Sequence, residues 1–305
     1  MTTSISISDL LTTIFVLVDD WYQKNNMQQL KHKRGRKPKF TDSEVLTLML
    51  AQDFIPFPSE TQFLAFMRAN YLDLFPNLLD QSQFNRRARA LRMSLEALRR
   101  SWITQRGLLT QTNFLLDTKP IPVMGYKRSK RHSDFAGSAA YGYCASRNMK
   151  YFGYKLVAIS TLKGFPIVYD LVPANLDERL AAEAVVDYLS SCDIFADKGF
   201  IGFEWQTKIF DQTGNLIWTP MRSNQHHQNS STLDRWLSSV RERIEGVFHE
   251  LQNTGRNIER LLAKTVTGLC TRIAAKLTSH LLRLILHTDF GIDVQTFTVA
   301  VPNTL

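Results

Sequence analysis

Ile194-Phe195-Ala196-Asp197-Lys198-Gly199-Phe200 is the stretch from which the fold is read. Two large apolar residues and an alanine lead into an aspartate, and a glycine follows. That order fits a buried strand ending at a turn. A strand tip holds a carboxylate on rigid backbone while its head faces solvent or a ligand. The competing reading makes Asp197 only the cap of a helix starting near Ile201. Partner carboxylates elsewhere in the chain decide between the two.

Asn113-Phe114-Leu115-Leu116-Asp117 repeats the signature, and Thr118-Lys119-Pro120 closes it. Between the two aspartates, Tyr151 to Thr161 and Phe165 to Val172 read as strands joined at Lys163-Gly164. Asp177 to Ser190 then reads as an amphipathic helix leading to the Asp197 strand. Beyond it come a helix from Ile201 to Asp211, a turn at Thr213-Gly214-Asn215 and a strand at Leu216-Ile217-Trp218. This order predicts an α/β layer with an early hairpin, not a doubly wound parallel sheet.

Leu233 to Leu251 carries the clearest helical pattern, an apolar stripe through Trp236, Leu237, Val240, Ile244, Val247 and Phe248. At about 100° per residue, Glu242 falls opposite the stripe, while Glu245 and Glu250 fall on its two flanks. The helical wheel argues against Glu242 as a third carboxylate and leaves Glu245 and Glu250 open. Two strand-end aspartates and one of these glutamates could hold a pair of Mg²⁺ ions, which prefer oxygen ligands and retain waters. Two such ions suit an in-line phosphoryl displacement.

The chain has 305 residues, a net charge of +9 and a pI near 9.5, which favours a polyanionic partner, foremost nucleic acid. Its basic residues cluster at Lys31–Lys39, at Arg86, Arg87, Arg89 and Arg92, and at Lys127, Arg128, Lys130 and Arg131. Salt-sensitive phosphate contacts are expected of such groups. The three cysteines, Cys144, Cys192 and Cys270, are far apart and form no Cys-x-x-Cys motif. They argue against a disulfide framework or structural zinc and for a reducing, cytoplasmic setting. No apolar run is long enough to span a bilayer.

The first third reads as helical. Leu10 to Trp21 shows helical spacing, Thr41 and Glu44 form a capping box, and Pro56 and Pro58 break the chain after the second helix. No strand is expected before Thr112. A C-terminal helix from Thr265 to His287 is expected to cover the sheet or to form a dimer. His226-His227 reads as part of a solvated loop, His132 as part of the basic segment near Asp117, and Trp236 as core packing.

These residues together resemble a DDE transposase of a bacterial insertion sequence, in the branch called insertion-sequence family nine-eighty-two. The resemblance rests on Gly35-Arg36-Lys37-Pro38, Thr41 to Leu48, Ala51-Gln52, Phe84-Asn85-Arg86-Arg87, Gly153 to Leu156, Asp170 to Asn175, Ala196 to Gly202 and Arg241-Glu242-Arg243-Ile244-Glu245. It implies an RNase H-like mixed-sheet core with an all-helical N-terminal domain. It also implies cleavage at the element's ends and joining of the 3′-hydroxyl to target DNA. A metal-dependent nuclease without strand transfer and a decayed or domesticated DNA-binding protein are the alternatives.

The implied metal ligands are Asp117, Asp197 and Glu245, the last chosen by the resemblance through Arg241 one turn earlier. The implied cofactor is Mg²⁺, with Mn²⁺ as a substitute and two ions at the site. Arg241, Lys127, Arg128, Lys130, Arg131, Lys198, Arg86 and Arg87 are the expected phosphate contacts. Ser238 and Gln252 stand where the broader signature has tyrosine and lysine. The expected partners are terminal repeats and target DNA, bound by a homodimer. The expected domains are 1–110 (DNA binding), 111–290 (catalysis) and 291–305 (tail).

Overall fold

Ser6 and Thr41 start the first two helices by capping them. In the computed structural model, which describes residues 3–25, 38–55, 57, 59–127, 130–221 and 229–297, the chain forms two units. The first unit comprises Met1–Ser101, Asn253–Asn257 and Thr267–Leu305; the second comprises Trp102–Gln252 and Ile258–Val266.

In the first unit, Ser6 accepts from the Asp9 backbone N–H at the head of α1 (Ile7–Lys24). Leu10, Leu11, Ile14, Val18 and Trp21 bury one face of that helix, at the predicted spacing. The Thr41–Glu44 capping box opens α2 (Asp42–Ala51), whose residues from Val45 to Ala51 are all buried. A helix apolar all round belongs at the centre of a core. Around it come α3 (Glu60–Asn70), α4 (Gln81–Ala90) and α5 (Arg92–Gln105), which runs into the second unit. From Thr267 onward α9 (Val266–Phe290) also belongs to the first unit, and Ser279 Oγ donates to the Leu50 carbonyl at 3.0 Å. The C-terminal helix was expected to cover the sheet or to form a dimer; it belongs to this unit, where Lys276 and Ser279 find their partners in Asp53 and Leu50.

This unit is not all helical. A three-residue strand, β1 (Thr3–Ile5), pairs in parallel with β8 (Ile292–Phe297). β1 has only three residues, and the pair links stretches almost a whole chain apart.

The second unit is built on a six-stranded mixed sheet. Its strands are β2 (Asn113–Met124), β3 (Ala140–Cys144), β4 (Met149–Thr161), β5 (Pro166–Pro173), β6 (Asp193–Ala196) and β7 (Leu216–Trp218). Their order is β3-β4-β2-β6-β7, and β5 pairs with β4. The predicted hairpin is β4–β5, with Gly164 at φ 87° in its turn. Between strands lie α6 (Glu178–Val186) and α7 (Phe203–Thr213), and α8 (Ser231–Asn253) follows β7.

Two features depart from expectation. Strand β2 does not stop at Thr118 but continues to Met124, because β4 pairs with it throughout. Strand β6 leaves it after Ala196, and prolines are tolerated where a strand has lost one neighbour. Strand β3 was not anticipated; Ala-Tyr-Gly-Tyr-Cys is short and glycine-interrupted. No helix among the described residues is long and apolar enough to cross a membrane.

Candidate active site

Leu116 and Ala196 form the last residue pair of the parallel β2–β6 ladder. One step further stand Asp117 and Asp197, each half-buried, at the point where the two strands part. Paired residues of neighbouring strands share a face and alternate along it, so both aspartates follow Leu115 and Phe195 onto one face. Each is oriented by its own backbone. Asp117 Oδ1 accepts from the Thr118 N–H at 2.7 Å, and Asp197 Oδ1 from the Gly199 N–H at 2.7 Å. Asp197 does act as a cap, but of the single 3₁₀ turn Lys198–Phe200; the next helix starts at Phe203.

The same face carries α8. The Trp236 ring lies edge-on to Phe195 with centroids 4.7 Å apart, and the Phe248 ring lies under the Lys119 ammonium at 5.6 Å. Lys119 Nζ donates to Gln252 Oε1 at 3.2 Å. A cation from β2 thus stands at Gln252, the position where the related signature has a lysine. Trp236 packs as expected yet is 44% exposed. Glu242 and Glu245 are exposed, while Glu250 is half-buried.

Lys119 also pairs with Glu259 Oε1 at 3.1 Å, and Arg147 takes Glu259 Oε2 at 2.9 Å. Burial pushes the Glu259 carboxyl up, but Arg147 and Lys119 more than offset it and hold it below its ordinary value.

Glu178 is a residue that the sequence reading missed. It opens α6, accepts from Thr118 Oγ1 at 3.1 Å and lies 3.8 Å from Lys155 Nζ. A Cβ added to Gly199 would overlap Glu178 Oε2, so the glycine admits this carboxylate beside the Asp197 turn. Glu178 follows directly on the Asp170–Asn175 motif and the Asp177 cap, the one local signal that could have pointed to it.

Among the described residues, no three His, Cys, Asp or Glu side chains converge closely enough to hold a metal. The structure brings Asp117 and Asp197 together and does not bring Glu245 into a ligand cluster with them. Two hard oxygen donors on adjacent strand ends nevertheless fit Mg²⁺, which takes one or two carboxylates and fills its shell with water and substrate phosphate.

The expected phosphate contacts divide. Lys127, Arg131, Lys198 and Arg86 are exposed. Arg87 instead ties α4 to the start of α2, donating to the Phe40 carbonyl and to Asp42 Oδ1, the latter at 2.6 Å. Lys130 is held by the Gly125 and Tyr126 carbonyls. Arg128, Lys31 to Lys37 and His226-His227 lie outside the described residues, as does the side chain of Arg241 in α8.

Residues 106–261 match the transposase DDE domain family. The chain belongs to that family. No curated protein matches it. Transposase DDE domains are nuclease-transposase enzymes that act on DNA, generally with divalent metal ions. Asp117, Asp197, Glu178 and Glu245 all fall within the matched segment of this domain.

Proposed function

We propose that this transposase DDE domain has an RNase H-like core that cuts DNA at the ends of a bacterial insertion sequence and joins the freed 3′-hydroxyl to target DNA. The observation that carries the reading is the placement of Asp117 and Asp197 side by side where β2 and β6 part. The first unit recognises the terminal repeats, and the protein acts as a homodimer on DNA in the bacterial cytoplasm.

Glu245 completes the carboxylate set, and α8 supports this choice. Gln252, which reaches Lys119 two residues beyond Asp117, lies about 20° from Glu245 on the helical wheel and about 160° from Glu250. Glu245 therefore shares the flank of α8 that turns toward Lys119. Arg241, four residues before Glu245, steers phosphate.

Asp117, Asp197 and Glu245 would hold Mg²⁺ or Mn²⁺ in a two-ion arrangement. When bound, such ions supply activation of the attacking oxygen and stabilisation of the leaving oxygen in a phosphoryl displacement. The backbone N–H groups of Thr118 and Gly199 fix the two aspartates before DNA arrives, so little reorientation accompanies binding. Exposed Lys198, Lys127 and Arg131 draw the phosphodiester toward them.

The test is cleavage and joining of a duplex carrying the element's end, in Mg²⁺. Asp117→Asn and Asp197→Asn are expected to lose more than about a hundredfold in rate, since changing mere supporters of metal ligands costs about 10–100-fold. Retained cutting by either variant removes that aspartate from the site. Wild-type cutting without joining identifies a nuclease. Metal-independent binding without cutting identifies a decayed or domesticated DNA-binding protein.

A further inference from the structure

Strand β3 exposes two aromatic rings for which the catalytic reading has no use. Tyr141 is 53% exposed and Tyr143 57% exposed, two residues apart on an edge strand of the sheet. Gly142 between them presses the opposite face inward. A Cβ there would come within 2.7 Å of Ala174 Cβ and 2.9 Å of the Tyr151 ring. The strand is thus seated firmly on its back while its front keeps both tyrosines outside.

That front is the face of the catalytic aspartates. Tyr141 pairs with Phe152 and Tyr143 with Lys150 on β4, and six residues further along β4 Ala158 pairs with Asp117. Alternation puts Lys150, Phe152 and Ala158 on one face, so the tyrosines begin about 20 Å from Asp117, at about 3.3 Å per residue.

The rings are braced. Tyr141 packs against Tyr126 at 5.3 Å and against Phe152 at 5.0 Å, and the Tyr143 hydroxyl donates to Asn148 Oδ1 at 2.9 Å. The Lys130 ammonium sits 5.9, 5.3 and 5.3 Å from the centroids of Tyr126, Tyr141 and Phe152. Together with its two carbonyl bonds, this makes Lys130 a clamp on the rings. Lys127 and Arg131, next in sequence to Tyr126 and Lys130, and Lys150, paired with Tyr143 on β4, are exposed.

We propose that Tyr141 and Tyr143 form a stacking platform for unpaired bases of the DNA strand, with these cations meeting its backbone. Exposed rings two residues apart on a sheet face are a geometry by which proteins stack successive unpaired bases. An intact duplex keeps its base faces covered, and phosphate contacts alone need no tyrosine. The choice of DNA as occupant rests on the transposase reading; the binding itself is measurable without catalysis.

The experiment uses the full chain in EDTA, with a labelled duplex bearing a single-stranded extension and the matching blunt duplex. Tyr141→Ala and Tyr143→Ala are each expected to weaken binding of the extended duplex about tenfold and to leave the blunt duplex unchanged. Tyr143→Trp should retain wild-type affinity. 2-Aminopurine in the extension should be quenched by the wild-type protein and not by Tyr143→Ala.

Equal loss on both duplexes, no loss on either, or loss of self-association with DNA binding intact would overturn the platform. If Tyr141→Ala no longer melts cooperatively, the Tyr143 alanine and tryptophan variants decide. Binding in EDTA is read without cleavage, and cleavage in Mg²⁺ is measured separately. A failure of the catalytic assignment therefore appears in cleavage and a failure of the platform in binding.

Discussion

Asp53 in the first unit and the Asp117–Asp197 pair in the second are both placed by the fold, yet they are surrounded in opposite ways. The Asp53 side chain is 4% exposed, and Arg256 takes both of its oxygens, donating from Nε at 3.2 Å and Nη2 at 2.8 Å. Lys276 Nζ stands 3.6 Å away. Asp117 and Asp197 remain half-exposed, and each is oriented by a neighbouring backbone N–H. A carboxylate that holds a core together is desolvated and closed off by cations. One placed to take a ligand is aimed by its own backbone and keeps a side open to solvent. The contrast separates a buried, ion-paired acid from two acids left partly open, as the proposed metal ligands need to be.

Removing the charge at each place puts the contrast at risk. Asp53→Asn leaves two buried cations without their counter-charge and is expected to cost about 3–5 kcal/mol of stability. Asp117→Asn changes a half-buried side chain whose amide oxygen can still accept from the Thr118 N–H, and is expected to cost about 1 kcal/mol or less. Denaturant unfolding of both variants measures the difference; comparable losses would erase the distinction.

Acid sharpens the same point. Burial raises the Asp53 carboxyl, but Arg256 and Lys276 outweigh it, so the folded value lies below the ordinary 3.8. A depressed carboxylate stabilises the fold fully above its unfolded value, and that contribution is lost as pH falls through the lower folded one. The stability gap between wild type and Asp53→Asn should therefore be complete at neutral pH and close only below about pH 3.8. A gap that closes nearer neutrality would mean that Asp53 is not held ionised in this way.

What was legible in the sequence follows from how local each feature is. The Thr41–Glu44 capping box and the apolar stripe of α8 are patterns within a few turns; the box stands as read, and of the stripe Leu237, Val240, Phe248 and Leu251 are buried while Trp236 is exposed. The strand before Asp197 was legible because three consecutive buried residues, Ile194 to Ala196, form an apolar run that stops at the aspartate. The alignment of Asp117 beside Asp197 was not, since it depends on the parallel register of two strands separated by a hairpin and a helix. The extension of β2 through Pro120 and Pro122 was hidden for a related reason. Proline reads as a stop in isolation, and only the pairing with β4 keeps the strand going. β3 carries too few residues to register as a pattern, and Glu178 acquires its place only through Thr118 and Gly199.

A further expected effect concerns the turn that aims Asp197. A Cβ at Gly199 would overlap Glu178 Oε2 and come within 2.9 Å of Asp197 Oδ1. The carboxylate end of Glu178 can swing aside, giving up its bond from Thr118 Oγ1, so Gly199→Ala should cost only about 1 kcal/mol of stability. Its larger mark should be on cleavage, because the Asp197 carboxylate loses the fixed angle set by the Gly199 N–H. If crowding by Glu178 is the cause, the two residues are coupled and a double-mutant cycle reads the coupling. Adding Glu178→Ala to Gly199→Ala should then restore most of the lost stability. It should also restore cleavage, unless Glu178 itself serves the reaction. Additive losses in both measurements would mean that the turn, not the carboxylate beside it, is what the glycine protects.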